Sequence, residues 1–291
     1  MGEEASGPHG AFLGLPAARS APARSRVAVL PIPFERTTSY GKGTRRGPAA
    51  LIDASRQVEL WDEVLEQDSS RVGVTTLAPV RATAVEAMLK QSEAATARVL
   101  AEGKFVISLG GEHTVTEGPL RAFVRRHPSI SVLHIDAHAD LRATYEGNRR
   151  SHACAASRML DCGIRRLVSV GVRNLSDSEW PRRKDPRVRI HFAHRIRRDR
   201  SWIRKAVAQL FSPVYVTIDL DGLDPSWMPG VGTPEPGGLD WWQVTDLMTA
   251  VARRHRVVGM DVVELMPIPG QKVSEFNAAR LTYRLIGLFV K

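Results

Sequence analysis

The chain has 291 residues, of which 43% are hydrophobic and 25% are charged, and its formal net charge is +10. This composition is typical of a globular protein and leaves enough apolar material for one large α/β domain or two small ones. No apolar run approaches the roughly 20 residues that a membrane-spanning helix needs, so we expect no membrane association.

The N-terminal segment differs in composition from the rest of the chain. Residues 1–24 are rich in Ala, Gly, Pro and Ser and lack hydrophobic periodicity, so we predict a disordered tail. The apolar stretch at residues 11–18 is interrupted by Gly and Pro, and we therefore expect no secretory signal peptide. The first six residues match the short N-myristoylation pattern, which also occurs by chance. Residues 25–291 are predicted to form a single catalytic domain.

Short β-branched runs alternate with amphipathic segments along the remainder of the chain. The predicted strands are residues 27–31, 72–76, 105–109, 131–136, 167–172, 188–192, 214–219 and 257–263. The predicted helices are residues 49–56, 83–102, 115–126, 152–162, 202–210, 241–253 and 274–288. Strands that alternate with helices and are apolar almost throughout indicate a mainly parallel sheet buried on both faces. The sequence therefore predicts an α/β fold.

Three polar segments follow predicted strands. Residues 110–113 read Gly-Gly-Glu-His, residues 134–140 read His-Ile-Asp-Ala-His-Ala-Asp, and residues 218–225 read Ile-Asp-Leu-Asp-Gly-Leu-Asp-Pro. The carboxyl ends of parallel strands form one edge of a sheet, and ligands of open α/β sheets bind there. We therefore expect these three segments to meet at this edge.

Acidic and imidazole side chains occupy every second position in two of these segments. They are Asp136, His138 and Asp140 in the first segment, and Asp219 and Asp221 in the second. Because alternate residues of an extended chain point to one face, each set should converge on one side. Buried carboxylates pack together only when a cation lies between them. Together with His113 they suit two divalent ions such as Mn²⁺, so we predict two Mn²⁺ ions per subunit.

A pair of such ions lowers the pKa of a shared water to about 7–9, so we predict a hydrolase in which a bridging hydroxide attacks the substrate. Glu264 ends the last predicted strand and could bind a planar cation through two hydrogen bonds; the alternative is a pairing with a surface arginine. His152 opens a predicted helix and is the candidate proton carrier, or else a structural imidazole. His134 is expected to support the metal ligands.

Two cysteines indicate the redox environment. Cys154 and Cys162 lie eight residues apart in one predicted helix, which separates them by about 12 Å at the helical rise per residue. This separation is too large for a disulfide. We therefore predict a reducing, cytoplasmic location.

Most of the positive charge lies in one segment. Residues 182–205 contain eleven Lys/Arg and two Asp/Glu, and the rest of the chain is close to neutral. Such a segment is either a solvated or subunit-contacting surface or an anion- or RNA-binding patch. No aromatic ladder or nucleic-acid motif accompanies the charge, so we favour the surface. A non-catalytic binding protein that uses this basic segment is the alternative from a different functional class.

The ordered motifs of the chain resemble the ureohydrolase family, the dimanganese enzymes that include arginase and agmatinase. In one-letter code they are PFERTTSY, GTRRGP, GGEH, DAHAD, SHAC, DLDGLDP, GVGTPEPGG and DVVELMP. The resemblance covers nearly the whole chain after residue 24. It implies a three-layer α/β/α sandwich around a parallel eight-stranded sheet and a homo-oligomer, a trimer or hexamer.

The resemblance also implies a role for each candidate site residue. The residues that match the family's metal ligands are His113, Asp136, His138, Asp140, Asp219 and Asp221, with Asp136 and Asp219 at the bridging positions. Glu264 matches the glutamate that binds the guanidinium, and His152 matches the proton-shuttling histidine. The implied reaction is attack of hydroxide on a guanidino carbon, through a tetrahedral intermediate, to give urea and a free amine.

The motifs also bear on which guanidine is the substrate. Arginases have an Asn two residues after the last Asp of the DAHxD motif, and this chain has Arg142 there, which disfavours arginine. The remaining motifs resemble the agmatinase branch, which favours hydrolysis of agmatine to putrescine and urea. The alternatives are guanidinobutyrate, guanidinopropionate, aminopropylagmatine and formiminoglutamate. Ala153 and Trp227 depart from the family pattern and are expected to reshape the substrate end of the site.

Overall fold

The structure is a computed structural model that describes residues 10–291. The strands are β1 (Val27–Ile32), β2 (Trp61–Asp62), β3 (Gln67–Asp68), β4 (Val74–Thr76), β5 (Phe105–Gly110), β6 (Ser131–Ile135), β7 (Arg166–Val172), β8 (Val188–Phe192), β9 (Val214–Asp219) and β10 (Val257–Val263). The helices are α1 (Ala17–Ser20), α2 (Gly47–Ser55), α3 (Val85–Ala101), α4 (Glu117–Arg126), α5 (Ala155–Asp161), α6 (Ala193–Ile196), α7 (Trp202–Ala208), α8 (Trp241–Arg254) and α9 (Val273–Phe289). The myristoylation pattern lies outside the described residues.

One eight-stranded sheet organises the molecule, in the order β4-β1-β5-β10-β9-β6-β7-β8. Every neighbouring pair of strands in this sheet is parallel. The predicted α/β fold with a parallel sheet is therefore confirmed, and each of the eight predicted strands is present. β2 and β3 form a separate antiparallel hairpin that the sequence analysis missed.

Helices cover both faces of the sheet. α2, α7, α8 and α9 pack against one another and against one set of strand side chains, and α3, α4 and α5 pack on the opposite set. The two sets alternate along a strand, since Val27 and Val29 belong to one core cluster and Ala28 belongs to the other. This alternation is what a sheet buried on both faces requires. No helix among residues 10–291 is long and apolar enough to cross a membrane.

The predicted disordered tail is wrong for residues 10–24, while residues 1–9 lie outside the described part of the chain. Residues 12–14 form a short 3₁₀ turn, and Phe12 and Leu15 are almost completely buried. The backbone N–H of Phe12 donates a hydrogen bond to Thr76 Oγ1 at 2.9 Å, and that of Leu13 donates to Ser55 Oγ at 2.7 Å. A few apolar anchors without periodicity are enough to fix a segment, and sequence periodicity does not detect them.

The basic segment at residues 182–205 lies at one end of the sheet, because it contains the edge strand β8 together with α6 and most of α7. Its two acidic residues pair locally: Asp185 pairs with Arg187, and Asp199 pairs with Lys205. Its assignment as a solvated or subunit-contacting surface, rather than an anion- or RNA-binding patch, stays a prediction. Cys154 and Cys162 are both free, as predicted.

Phe12→Ala tests whether residues 10–24 belong to the folded core. Because the ring is fully buried, we expect the free energy of unfolding to fall by about 3–5 kcal/mol, measured by denaturant titration. The exposed Val64, changed to Ala, is the control and should alter stability by less than about 0.5 kcal/mol. A Phe12→Ala variant as stable as the parent protein would contradict the packing of this segment.

Candidate metal centre and active site

Four neighbouring strands deliver the candidate residues to one edge of the sheet. β5, β10, β9 and β6 are consecutive in the sheet, and their carboxyl ends lie side by side. His113 follows β5, Glu264 follows β10, Asp219 ends β9, and Asp136 follows β6. Parallel pairing therefore brings together segments that are up to 151 residues apart in the chain. The predicted meeting of the polar segments is confirmed.

The imidazole of His113 lies at the centre of three carboxylates. Its Nδ1 atom is 3.2 Å from Asp136 Oδ2, 3.5 Å from Asp140 Oδ2 and 3.1 Å from Asp219 Oδ2. The side chain is buried, yet Nδ1 has no hydrogen-bond partner among the described residues. A buried nitrogen without a partner, surrounded by carboxylate oxygens, is the arrangement expected of ligands that converge on a cation.

A second group forms around His138. Its Nδ1 atom lies 3.0 Å from Asp221 Oδ2 and 3.5 Å from Asp136 Oδ1. Asp136 thus presents one oxygen to each histidine, which is the geometry of a carboxylate between two adjacent centres. The residues Asp136, His138 and Asp221 have ligand atoms close enough together to hold one metal ion.

From the sequence we predicted that these residues converge because they lie on extended backbone. In the structure their convergence depends on loops and turns instead. β6 ends at Ile135, so Asp140 lies in a loop, where it adopts a left-handed conformation with φ of 50°. Asp221 lies in the 3₁₀ turn Leu220–Gly222, and its N–H donates a hydrogen bond to Asp219 Oδ1 at 3.0 Å. Glu264 also has a positive φ, of 65°. Non-glycine residues in this conformation are strained by about 1–2 kcal/mol, and such strain clusters at functional sites.

The cluster is electrostatically incomplete by itself. Burial raises the pKa of Asp140, and the neighbouring Asp136 carboxylate raises it further. Burial likewise raises the pKa of Asp219, and the carboxylates of Asp221 and Asp136 add to this shift. These acids would therefore keep protons unless additional positive charge enters the cluster. The site therefore has metal-ligating atoms and an excess of negative charge that divalent cations would balance.

A hydrogen-bonded chain fixes the orientation of the His113 ring. Its Nε2 atom lies 3.0 Å from Thr217 Oγ1, and Thr217 donates to Asp261 Oδ1 at 2.6 Å. Tyr215 donates to the other Asp261 oxygen at 2.7 Å. Since Thr217 donates to Asp261, it accepts from the ring, which places a proton of His113 on Nε2 and directs Nδ1 towards the carboxylates.

His134 supports the same cluster from within β6, as predicted. Its Nε2 atom lies 2.7 Å from Asp136 Oδ2, and its Nδ1 atom lies 3.0 Å from Ser169 Oγ on β7. The backbone N–H of His138 donates to Asp136 Oδ1 at 2.5 Å. Both oxygens of the Asp136 carboxylate are thus fixed, one by the His134 ring and one by this N–H. Asp136 is therefore held in place on both sides.

Glu264 and His152 form a second pair beside the cluster. Glu264 Oε1 accepts a hydrogen bond from the His113 backbone N–H at 2.7 Å and lies 3.5 Å from His152 Nδ1. Burial alone would lower the pKa of His152, but the carboxylates of Glu264 and Asp140 outweigh it and raise the pKa to about 9. The imidazole therefore carries a proton at neutral pH.

Comparisons with known proteins agree with this arrangement. A family model described as the arginase family matches residues 25–287. An N(1)-aminopropylagmatine ureohydrolase of Thermus thermophilus is 41% identical over 91% of this chain and 90% of its own length. Another from Synechocystis sp. is 38% identical over 91% of this chain and 89% of its own. The crystal structure of an agmatine ureohydrolase of Thermoplasma volcanium aligns with a TM-score of 0.82 and 30% identity, over 91% of this chain and 90% of that one.

The chain belongs to the arginase family. The resemblance drawn from its motifs is confirmed, and so is the three-layer arginase fold. This arginase-family protein is a hydrolase that acts on guanidino substrates, and its family is one of binuclear metal hydrolases.

A cavity of about 190 Å³ opens onto the cluster of this arginase-family protein. Its walls include His138, Asp140, His152, Asp219, Asp221 and Glu264, together with Ser39, Arg142, Tyr145, Ala153, Asn174, Leu175, Glu179, Thr233 and Glu235. Ala153 is one of these lining residues, and its influence on the substrate end stays a prediction. Trp227 is not among the lining residues, and its side chain is 38% exposed.

Several residues that build the site were missed by sequence reasoning. Glu112 is fully buried and accepts hydrogen bonds from the backbone N–H groups of Arg36 and Thr37 at 2.7 and 2.6 Å. Thr37 Oγ1 in turn donates to Glu112 and accepts from the His152 backbone N–H, at 2.9 Å in both cases. The glutamate within the GGEH motif thus fixes the loop that supports His152. The position of Glu112 next to His113 in the sequence is the feature that could have identified it as a site residue.

The charge of Glu264 sets the protonation of His152 in this arginase-family protein. In Glu264→Gln, the adjacent carboxylate no longer opposes burial, so the pKa of His152 should fall from about 9, while the carboxylates of Asp140 and Glu112 retain part of the upward shift. Titration of the ring protons by NMR in metal-free protein measures this change. Glu146→Gln removes a carboxylate from the neighbouring exposed loop and should leave the value unchanged. A pKa that stays near 9 in Glu264→Gln would show that another group protonates His152.

Proposed function

We propose that this protein binds two divalent cations, Mn²⁺ by preference, and hydrolyses the guanidino group of a guanidinoalkylamine to release urea. The single observation that carries this proposal is the Asp136 carboxylate between His113 and His138, each of which has further aspartates of its own. The mixed imidazole and carboxylate donor set suits Mn²⁺. When bound, the ions would lower the pKa of water and make hydroxide available near neutral pH.

Each proposed ion has its own set of ligands. His113, Asp136, Asp140 and Asp219 would hold the first ion, because three carboxylate oxygens surround His113 Nδ1. Asp136, His138 and Asp221 would hold the second ion, and Asp219 is assigned as a second bridging carboxylate by its match to the family motif DLDGLDP. The unpartnered Nδ1 of His113 and the raised pKa values of Asp140 and Asp219 support this assignment.

Glu264 and His152 are proposed to act on the organic part of the reaction. Glu264 would accept two hydrogen bonds from the guanidinium, which orients the planar carbon towards the metal centre. His152 carries a proton at neutral pH, and its buried Nε2 atom has no partner among the described residues. It would deliver this proton to the leaving nitrogen as the C–N bond breaks, which produces urea and a free amine.

The substrate proposed first is N(1)-aminopropylagmatine, with agmatine second. The relatives that are 38% and 41% identical are named for the former, and the solved structure at 30% identity is named for the latter. Arg142 also supports a substrate other than arginine. Its guanidinium lies 4.8 Å from the Tyr145 ring and 3.4 Å from Glu179, so it occupies the part of the cavity next to the loop after Asp140. A trimeric or hexameric assembly and a cytoplasmic location stay predictions.

A panel of guanidino compounds tests the proposed function. After Mn²⁺ loading, urea release should show the highest kcat/KM with N(1)-aminopropylagmatine, a lower value with agmatine, and values at least about tenfold lower with guanidinobutyrate, guanidinopropionate and arginine. Formiminoglutamate serves as the formimino control, since its cleavage would release formamide instead. Removal of the metal by a chelator should abolish turnover, and Mn²⁺ should restore it. Absence of urea from every compound would reject the proposal.

Two variants separate metal binding from proton transfer. Asp219→Ala should lose bound metal and turnover together, because it removes a ligand from both proposed ions. His152→Ala should retain two ions per subunit while kcat falls by about 10²–10⁴-fold, as for loss of a proton-transfer residue. Elemental analysis of the purified variants measures the metal content directly. Loss of metal in His152→Ala would show that its assigned role is wrong.

A further inference from the structure

We propose that Glu235 binds the ammonium group in the substrate tail and that Asn174 positions it, so that this pair determines specificity for guanidinoalkylamines. This inference rests on the proposed function, since it assigns the part of the cavity that reads the tail rather than the guanidinium. Glu235 is half-buried and lines the same cavity as Glu264 and His152.

The backbone of Glu235 is fastened to the proposed metal ligands. Arg173, which follows β7, donates to the Glu235 carbonyl from Nη2 at 2.7 Å and from Nε at 3.2 Å. The same Nη2 donates to the Asp221 carbonyl at 2.7 Å. Burial lowers the pKa of this guanidinium, and the groups that accept its hydrogen bonds are backbone carbonyls rather than carboxylates. Arg173 therefore fixes the loop of Glu235 relative to Asp221 through backbone carbonyls, and it interacts with the Glu235 carboxylate only at longer range, without a hydrogen bond to it.

Asn174 fixes the side chain of Glu235. Its Nδ2 atom donates to Glu235 Oε1 at 2.5 Å. The backbone of Asn174 is bonded to the residues on either side of His138. The Asn174 N–H donates to the Ala137 carbonyl at 3.0 Å, and the Asn174 carbonyl accepts from the Ala139 N–H at 3.2 Å. The second oxygen of Glu235 accepts no hydrogen bond from residues 10–291, so it is available to a ligand.

The other charges on this part of the wall cancel. Glu179 is buried and accepts hydrogen bonds from the Leu141 and Ser176 backbone N–H groups at 2.8 and 2.7 Å, and it also pairs with Arg142 at 3.4 Å. Apart from the metal cluster and Glu264, Glu235 is thus the lining carboxylate that forms no direct ion pair with a described residue, although the charge of Arg173 acts on it from a greater distance. A lining carboxylate without a direct ion pair favours a cationic tail and disfavours a carboxylate tail.

The chemistry of the two proposed substrates fits one shared contact. Agmatine and N(1)-aminopropylagmatine both carry a cationic nitrogen four methylenes away from the guanidine. In agmatine this nitrogen is a primary ammonium, and in N(1)-aminopropylagmatine it is a secondary ammonium that continues into the aminopropyl group. A carboxylate that binds this nitrogen accepts both compounds, whereas butylguanidine has no charge at this position.

Glu235→Gln tests the contact with little change in size. We expect KM for agmatine and N(1)-aminopropylagmatine to rise about tenfold or more with kcat nearly unchanged, because one charge-assisted hydrogen bond is weakened. Kinetic parameters for butylguanidine should stay within about twofold. Glu146→Gln, which removes a carboxylate near the cavity but outside its lining, is the matched control and should match the parent protein.

Asn174→Ala tests positioning. This change should raise KM for agmatine but not for butylguanidine. The double variant Asn174→Ala/Glu235→Gln should show no larger increase in KM for agmatine than Glu235→Gln alone. Calorimetric binding of agmatine and butylguanidine to the Mn²⁺-loaded protein provides a readout that does not require turnover. Selective weakening of agmatine binding supports the inference even if no urea is formed, in which case only the proposed function fails. Equal losses of binding affinity for agmatine and butylguanidine, or no loss of affinity for either compound, would overturn the inference.

Discussion

Repulsion among buried carboxylates is the constraint on which the site depends. Asp136, Asp140, Asp219 and Asp221 are all buried at the ends of β6 and β9, and the imidazoles of His113, His134 and His138 contact them. Burial raises the pKa values of Asp140 and Asp219, and this repulsion raises them further, so both acids tend to keep protons. Two divalent cations would balance four ionised aspartates, so that the same charges that oppose folding become the source of metal affinity.

The surrounding polypeptide holds this unfavourable arrangement in place. Four parallel strands fix the start of each polar segment, and hydrogen bonds fix the side chains beyond the strand ends. Asp136 is held by His134 and by the His138 backbone, and His113 is oriented by Thr217. Residues next to the ligands in sequence or on adjacent strands therefore supply most of the support.

The strands and the metal ligands could be predicted from sequence because their signals are local. Each strand is a short apolar run between polar segments, and the ligands lie in contiguous motifs such as residues 136–140. The packing of Phe12 was missed because isolated anchors have no period. The contact between Asn174 and Glu235 could not be predicted, since it joins residues that are 61 positions apart and depends on the path of a loop. Even the convergence of Asp136 and Asp140 follows a loop geometry rather than the extended backbone that was assumed.

The net charge of +10 would repel a cationic substrate if it were spread evenly over the protein. In the structure, the excess positive charge and the acidic cluster lie in different parts of the protein. Much of the excess lies in residues 182–205 at the β8 edge, whereas the metal cluster lies over the central strands β5, β10, β9 and β6. Exposed charges are screened over about 8 Å at physiological salt, so a substrate near the cavity responds mainly to the cavity itself. There Arg142 is paired with Glu179, and under the proposed function the carboxylates of Glu264 and Glu235 would attract a cation. Local charge, rather than the sum over the chain, therefore determines which guanidines can enter.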